Sequence, residues 1–254
     1  MKRTLLTIAF LCLLLLSACE KEEQNISSIN ISPVSFEERL LVESPKYSVD
    51  HSDNDEADNS ISYEDIIDAA STMYNGLSDK RIISDDIEIS SECQGMNRDY
   101  QELGYATTDI NGDGIDELIF GVNAVPGNSD WKGYVYDIYT MVDNRVVQLA
   151  DGAARNHWFI CSNNMLAYEI SSDGFSIGWE YWAMSKDGDM MLKETVIKQI
   201  VLDENQKSKT LWLYSDQLDY TYHNNYELFD IITEEKASEI KEKYEYVYLE
   251  FTPF

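Results

Sequence analysis

Tyr134-Val-Tyr-Asp-Ile-Tyr-Thr-Met-Val142, followed by Asp143-Asn144 and then Arg145-Val-Val-Gln-Leu149, decides the fold. Strand-forming residues alternate on either side of two residues that tolerate left-handed backbone, which is the signal of a β-hairpin. Working outward, the signal recurs. Residues 158–161 and 165–170 flank Asn163-Asn164, and residues 176–184 and 190–200 flank Asp187-Gly188-Asp189. Residues 210–214 add a strand downstream, while 105–108 and 118–122 enclose an Asp-rich loop upstream. Turn signals returning about every ten residues predict an antiparallel β-meander.

Helical spacing marks the two ends of this meander. Ser62 is an N-cap with Asp65 three residues on, and Tyr63, Ile66, Ile67, Ala70, Met73, Tyr74 and Leu77 fall on one face before the stop at Gly76. A second helix over 233–244 has acids in its first turn and lysines in its last, as the helix dipole favours. A final strand over 246–252 closes the chain. The expected fold is α+β: one domain over 61–254, with an antiparallel β-meander sheet packed by an N-terminal and a C-terminal helix.

The Asp-rich loop reads Asp109-Ile-Asn-Gly-Asp-Gly-Ile-Asp-Glu117. Asp109, Asn111 and Asp113 at alternate positions bring three side-chain oxygens around one point. Gly114 permits the sharp turn, the Ile115 carbonyl can face inward and Glu117 can close the shell. This is the hard-oxygen set that calcium takes. An EF-hand needs Glu at the twelfth position, where this chain has Phe120. The loop resembles the calcium loops of the FG-GAP and VCBS repeat families, with Glu117 in place of their last Asp and Leu118 retained. That resemblance implies a strand on each side and one structural calcium ion. A single copy does not support their repeated propeller. The alternative is an Asn-Gly-Asp-Gly turn with solvated acids.

The chain starts Met1-Lys2-Arg3, continues through an apolar run and reaches Leu16-Ser17-Ala18-Cys19. A span needs roughly 20 apolar residues, and this run is shorter. The quartet resembles the lipobox of bacterial lipoproteins, and the whole layout resembles uncharacterised surface lipoproteins of Gram-positive bacteria. By that resemblance residues 1–18 are a signal peptide and Cys19 is acylated, palmitate included, placing the protein on the extracytoplasmic face of the cell membrane. An ordinary secretory signal with a chance Cys is the alternative. Residues 19–60 contain an acidic run over 50–58 and few periodic apolar positions, so they read as a disordered tether reaching about 35 Å.

With 47 acidic and 19 basic residues the formal net charge is −28, which excludes nucleic acid as a partner. It also disfavours broad contact with anionic lipid, leaving the anchor as the membrane attachment. Cations, neutral glycans, peptides and basic protein surfaces remain compatible. Outside the signal and anchor the cysteines are Cys93 and Cys161, which form one disulfide or stay as two buried thiols. The stretch Gly178-Trp-Glu-Tyr-Trp182 offers a candidate ligand face in Trp179, Tyr181 and Trp182, against the alternative of core packing. The three histidines, His51, His157 and His223, belong to no hydrolase or metalloprotease motif. The expectation is a calcium-stabilised binding or interaction module of the cell surface. A surface hydrolase of glycan or peptide using two acids is the runner-up.

Overall fold

Asp143 and Asn144 both take positive φ, 50° and 61°, and the strands on either side meet as Val142 opposite Arg145. This is the primed turn whose twist matches paired strands. It belongs to a computed structural model that describes residues 61–95, 101–124, 133–153, 155–171, 174–202, 206–217 and 229–254. The lipobox with Cys19, the tether, His51, Trp131, Tyr220, Tyr222 and His223 lie outside the described residues. The described residues all belong to one compact unit.

Helix α1 (Tyr63–Tyr74) leads into a small hairpin, β1 (Ile82–Ser84) and β2 (Ile87–Glu88), and a 3-10 turn at Ser91–Gln94. The meander follows as β3 (Gln101–Thr108), β4 (Glu117–Ala124), β5 (Val135–Val142), β6 (Arg145–Asp151), β7 (Asn156–Cys161), β8 (Met165–Ser171), β9 (Ser176–Met184), β10 (Met190–Leu202) and β11 (Ser208–Ser215). Then come β12 (Asp230–Ile232), helix α2 (Glu234–Lys241), β13 (Tyr246–Val247) and β14 (Thr252–Pro253). All pairings are antiparallel, in the order β12-β11-β10-β9-β8-β7-β5-β4-β3-β14, with β6 on β5 and β13 on β7. The β-rich antiparallel architecture is therefore as the sequence predicts.

Alternation along each strand sends its two faces into different clusters. Leu118, Phe120, Tyr136 and Tyr139 join Ile66, Ala70 and Met73 of α1, while Ile119, Val135 and Ile138 of the same strands turn the other way. Phe159, Cys161, Ala167, Trp179 and Tyr181 join Ala237 and Ile240 of α2, while Trp158, Ile160, Leu166 and Trp182 turn the other way. The side chains turned away from the helices form one cluster that draws on β4–β6 and on β7–β10. No described helix covers it, so the two halves of the sheet bury one another by folding face to face. This explains why β5 is buried on both faces along most of its length instead of alternating.

The chain end departs from the expected single strand. β13 pairs with β7, whereas β14 pairs with β3, so the last residues pass from one half of the sheet to the other. Phe251 between them seats over Gly121, where an added Cβ would stand 2.2 Å from Phe251 Cζ. Asn123 holds that crossing by accepting from the Phe251 N–H at 2.9 Å and donating to its carbonyl at 2.8 Å. Helix α2 stops at Lys241, short of the expected Tyr244, because Tyr244 turns inward to stack on Tyr181 at 3.7 Å.

Candidate functional site: the Asp-rich turn and the buried acids

The Asp109–Glu117 segment joins β3 to β4, as its spacing predicts. Its side chains close on the loop's own amides. Asp109 Oδ1 accepts from the N–H groups of Gly112 at 2.7 Å and Asp113 at 3.2 Å, and its Oδ2 accepts from Gly114 at 2.9 Å. Asp113 Oδ1 accepts from the Ile115 N–H at 2.7 Å, and Asn111 Oδ1 from the Asp113 N–H at 3.0 Å. Gly112 and Gly114 have φ of 75° and 92°, a conformation that favours glycine over any side chain.

Glu117 plays a different part from the expected shell-closing ligand. Its side chain is fully buried, with Oε2 accepting from the Ile110 N–H at 2.7 Å and Oε1 from the Thr140 hydroxyl at 2.8 Å. Burial raises its carboxyl above the usual range, and these two hydrogen bonds work against that rise. Glu117 thus ties the base of the loop to β5. Tyr63 of α1 adds a second tie by donating to the carbonyls of Asp116 at 3.1 Å and Tyr139 at 3.3 Å.

Other turns meet the loop at the same end. Asn111 Nδ2 donates to Ser185 O at 3.1 Å, joining the β3–β4 loop to the β9–β10 turn. A Cβ on Gly112 would stand 3.4 Å from Asn164 Nδ2 of the β7–β8 turn, and one on Gly188 would stand 3.0 Å from Val142 Cγ2 beside the β5–β6 turn. Asp109, Asp113, Asp116, Asp143, Asp187 and Asp189 are all carried on this end.

The loop fits calcium in donor chemistry and only in part in arrangement. Asp109, Asn111, Asp113 and the Ile115 carbonyl supply hard oxygens, while the Asn111 amide nitrogen donates to Asp113 Oδ2 at 3.0 Å, where a cation requires the carboxamide oxygen. Among the described residues no three His, Cys, Asp or Glu side chains gather as a metal-holding group.

The remaining candidate residues are placed as follows. Cys93 and Cys161 are free, buried thiols in separate clusters, the first with α1 and the second with α2, so the proposed disulfide gives way to the buried-thiol alternative. Trp179, Tyr181 and Trp182 form no ligand face. Their exposures are 7%, 1% and 1%, because α2 covers one side of β9 and the facing half-sheet covers the other. Trp179 also lies under the Lys241 ammonium, 3.4 Å from the ring centroid. His157 is buried against Tyr134, with ring centroids 3.8 Å apart, and burial holds its imidazole below the ordinary value.

Several buried carboxyl groups escape sequence reading. Glu194, at the bulge in β10, accepts from Tyr214 Oη at 2.9 Å, from Lys243 Nζ at 3.2 Å and from the Tyr244 hydroxyl. Asp137 accepts from the Ser90 N–H at 3.0 Å and from Gln148 Nε2 at 3.2 Å, and burial pushes its carboxyl well up. Glu180 accepts from Trp182 Nε1 at 3.2 Å, and burial pushes it up to about 7. Their partners come from distant strands, and the one signal available was an acid at an inward position of an alternating run.

Neither a protein family, a curated protein nor a solved structure matches the chain.

Proposed function

We propose that this chain is a lipid-anchored protein of the extracytoplasmic membrane face whose α+β domain, a sheet packed by a helix near each end, serves as a calcium-stabilised binding or interaction module. The reading of the anchor rests on Leu16-Ser17-Ala18-Cys19, directly behind an apolar run too short to span. The observation that carries the module is the meeting of turns at one acidic end, where Asn111 joins the β9–β10 turn and Glu117 joins the loop to β5. Calcium there would be held by Asp109, Asn111, Asp113 and the Ile115 carbonyl, after the Asn111 carboxamide turns its oxygen inward. Water would complete a shell of about six to eight oxygens. Glu117 would position the loop without touching the ion. Bound calcium supplies rigidity to the turns that present the acidic end to a partner; a basic protein surface, peptide or glycan is the compatible class.

Two measurements test this reading. In cells fed labelled palmitate, the wild-type chain should carry label in the membrane fraction and Cys19→Ala should carry none; equal labelling of both would remove the anchor. Melting of the full chain after EDTA and after added calcium should differ by several degrees, as ligand linkage requires. Equal melting in both would remove the ion.

A further inference from the structure

The face of the sheet turned away from α2 carries one row of polar side chains where alternation calls for apolar ones. Tyr168 on β8 lies opposite Glu180 on β9, Glu180 opposite Thr195 on β10, and Thr195 opposite Ser215 on β11. Directly opposed residues share a face, so the four side chains line up across four strands. On one side runs the row Leu166, Trp182 and Leu192; on the other runs Ile170, Gly178, Ile197 and Leu213. Glu180, Thr195 and Ser215 are 8%, 3% and 4% exposed, so these groups are withdrawn from water.

A buried hydroxyl without a partner costs stability, and such groups ask for an explanation. Thr195 Oγ1 is one: it has no hydrogen-bond partner among the described residues. The Ser215 hydroxyl accepts from the Gln217 N–H at 3.3 Å and keeps its remaining lone pair. Space is available beside these groups, since a Cβ built on Gly178 meets no listed atom nearer than Ile170 Cβ at 3.9 Å, and Gly178 is only partly buried. Neither this row nor the two beside it contains a Lys, Arg or His. Trp158, opposite Tyr168, donates from Nε1 to the Asp151 carbonyl at 2.8 Å, which brings a second acid close to the row.

We propose that Glu180, Thr195 and Ser215 form a binding site for a primary ammonium group, entered beside Gly178. An ammonium has three N–H donors and no acceptor, which matches one carboxylate and two hydroxyl oxygens. The negative potential of a chain with net charge −28 concentrates such cations at its surface. The charge also supplies the partner that the buried Glu180 carboxylate lacks in any Lys or Arg of its own rows. The group can come from a small amine or from a lysyl side chain.

Equilibrium dialysis of the full chain with radiolabelled methylamine, and separately with labelled Nα-acetyl-lysine amide, tests the site. Binding of either ligand, competed by the other primary amine and not by tetramethylammonium, is expected, and the tighter of the two identifies the source. Thr195→Val and Ser215→Ala should each weaken binding at least tenfold. Thr195→Val should also melt no lower than wild type in sodium chloride, because it removes an unpaired hydroxyl at constant shape. Gly178→Val fills the entry and should weaken binding without touching any of the three oxygens. Retention of neither amine, equal competition by tetramethylammonium, or undiminished binding in Ser215→Ala and Gly178→Val would overturn the proposal; an ordered water at Thr195 would give the first of these results.

Discussion

Single carboxyl groups show how the same residue type does opposite work in this protein. Glu117 is an acceptor held between a backbone N–H and a hydroxyl, so removing one donor strands a buried oxygen. Thr140→Val should cost about 1–3 kcal/mol, read as a fall in the denaturant midpoint with an unchanged slope. Glu180 titrates differently. Burial raises its carboxyl from 4.5 in the free state to about 7, so the folded protein holds the proton more tightly than the unfolded chain does. Its contribution is therefore fully present below about pH 4.5 and is lost as pH rises through about 7, a change on the order of 3 kcal/mol. Wild-type stability should fall over that window by more than that of Glu180→Gln; parallel curves would show that Glu180 does not titrate there. Spacing within nine residues was enough to pick out the Asp109–Glu117 loop, because its chemistry is local. Glu194 was invisible to the same reading, since Tyr214, Lys243 and Tyr244 reach it from 20, 49 and 50 residues away.

Among the elements, those with local signals were the legible ones. Asp143-Asn144, Asn163-Asn164 and Asp187-Gly188-Asp189 all mark turns, because positive φ is a property of a residue and its neighbours. What covers a strand is not local. The alternation in β9 separates Trp179 and Tyr181 from Trp182 correctly, yet it carries no sign that α2 lies over one side and the opposite half-sheet over the other. For the same reason the short final strands were read as one. The crossing between them gives a sharp test at Gly121. Gly121→Ala drives a methyl into the Phe251 ring and should cost about 1–3 kcal/mol or more by overpacking. Phe251→Ala should itself cost about 3–5 kcal/mol. In the double variant the clash is gone, so its loss should be clearly smaller than the sum of the two single losses. Additive losses would mean that Phe251 does not sit on Gly121.

The molecule as a whole is a strongly acidic body whose turns gather Asp residues at one end. Self-repulsion at net charge −28 opposes compactness, so raising sodium chloride should raise the melting midpoint through screening alone. Calcium should add to this at concentrations far too low to screen, because it acts through one site on the folded state. That difference separates a bound ion from a diffuse counterion cloud. It also sets the roles of the loop residues apart: Asp109 and Asp113 would touch the ion, whereas Thr140 and Glu117 would hold the loop for it. The most direct measurement is a calorimetric titration of the full chain with calcium in a constant salt background. One equivalent should bind to the wild type, none to Asp113→Ala, and one with reduced affinity to Thr140→Val. Absence of a stoichiometric heat in the wild type, or an unchanged isotherm in Asp113→Ala, would contradict the assignment of the Asp109–Glu117 loop as a calcium site.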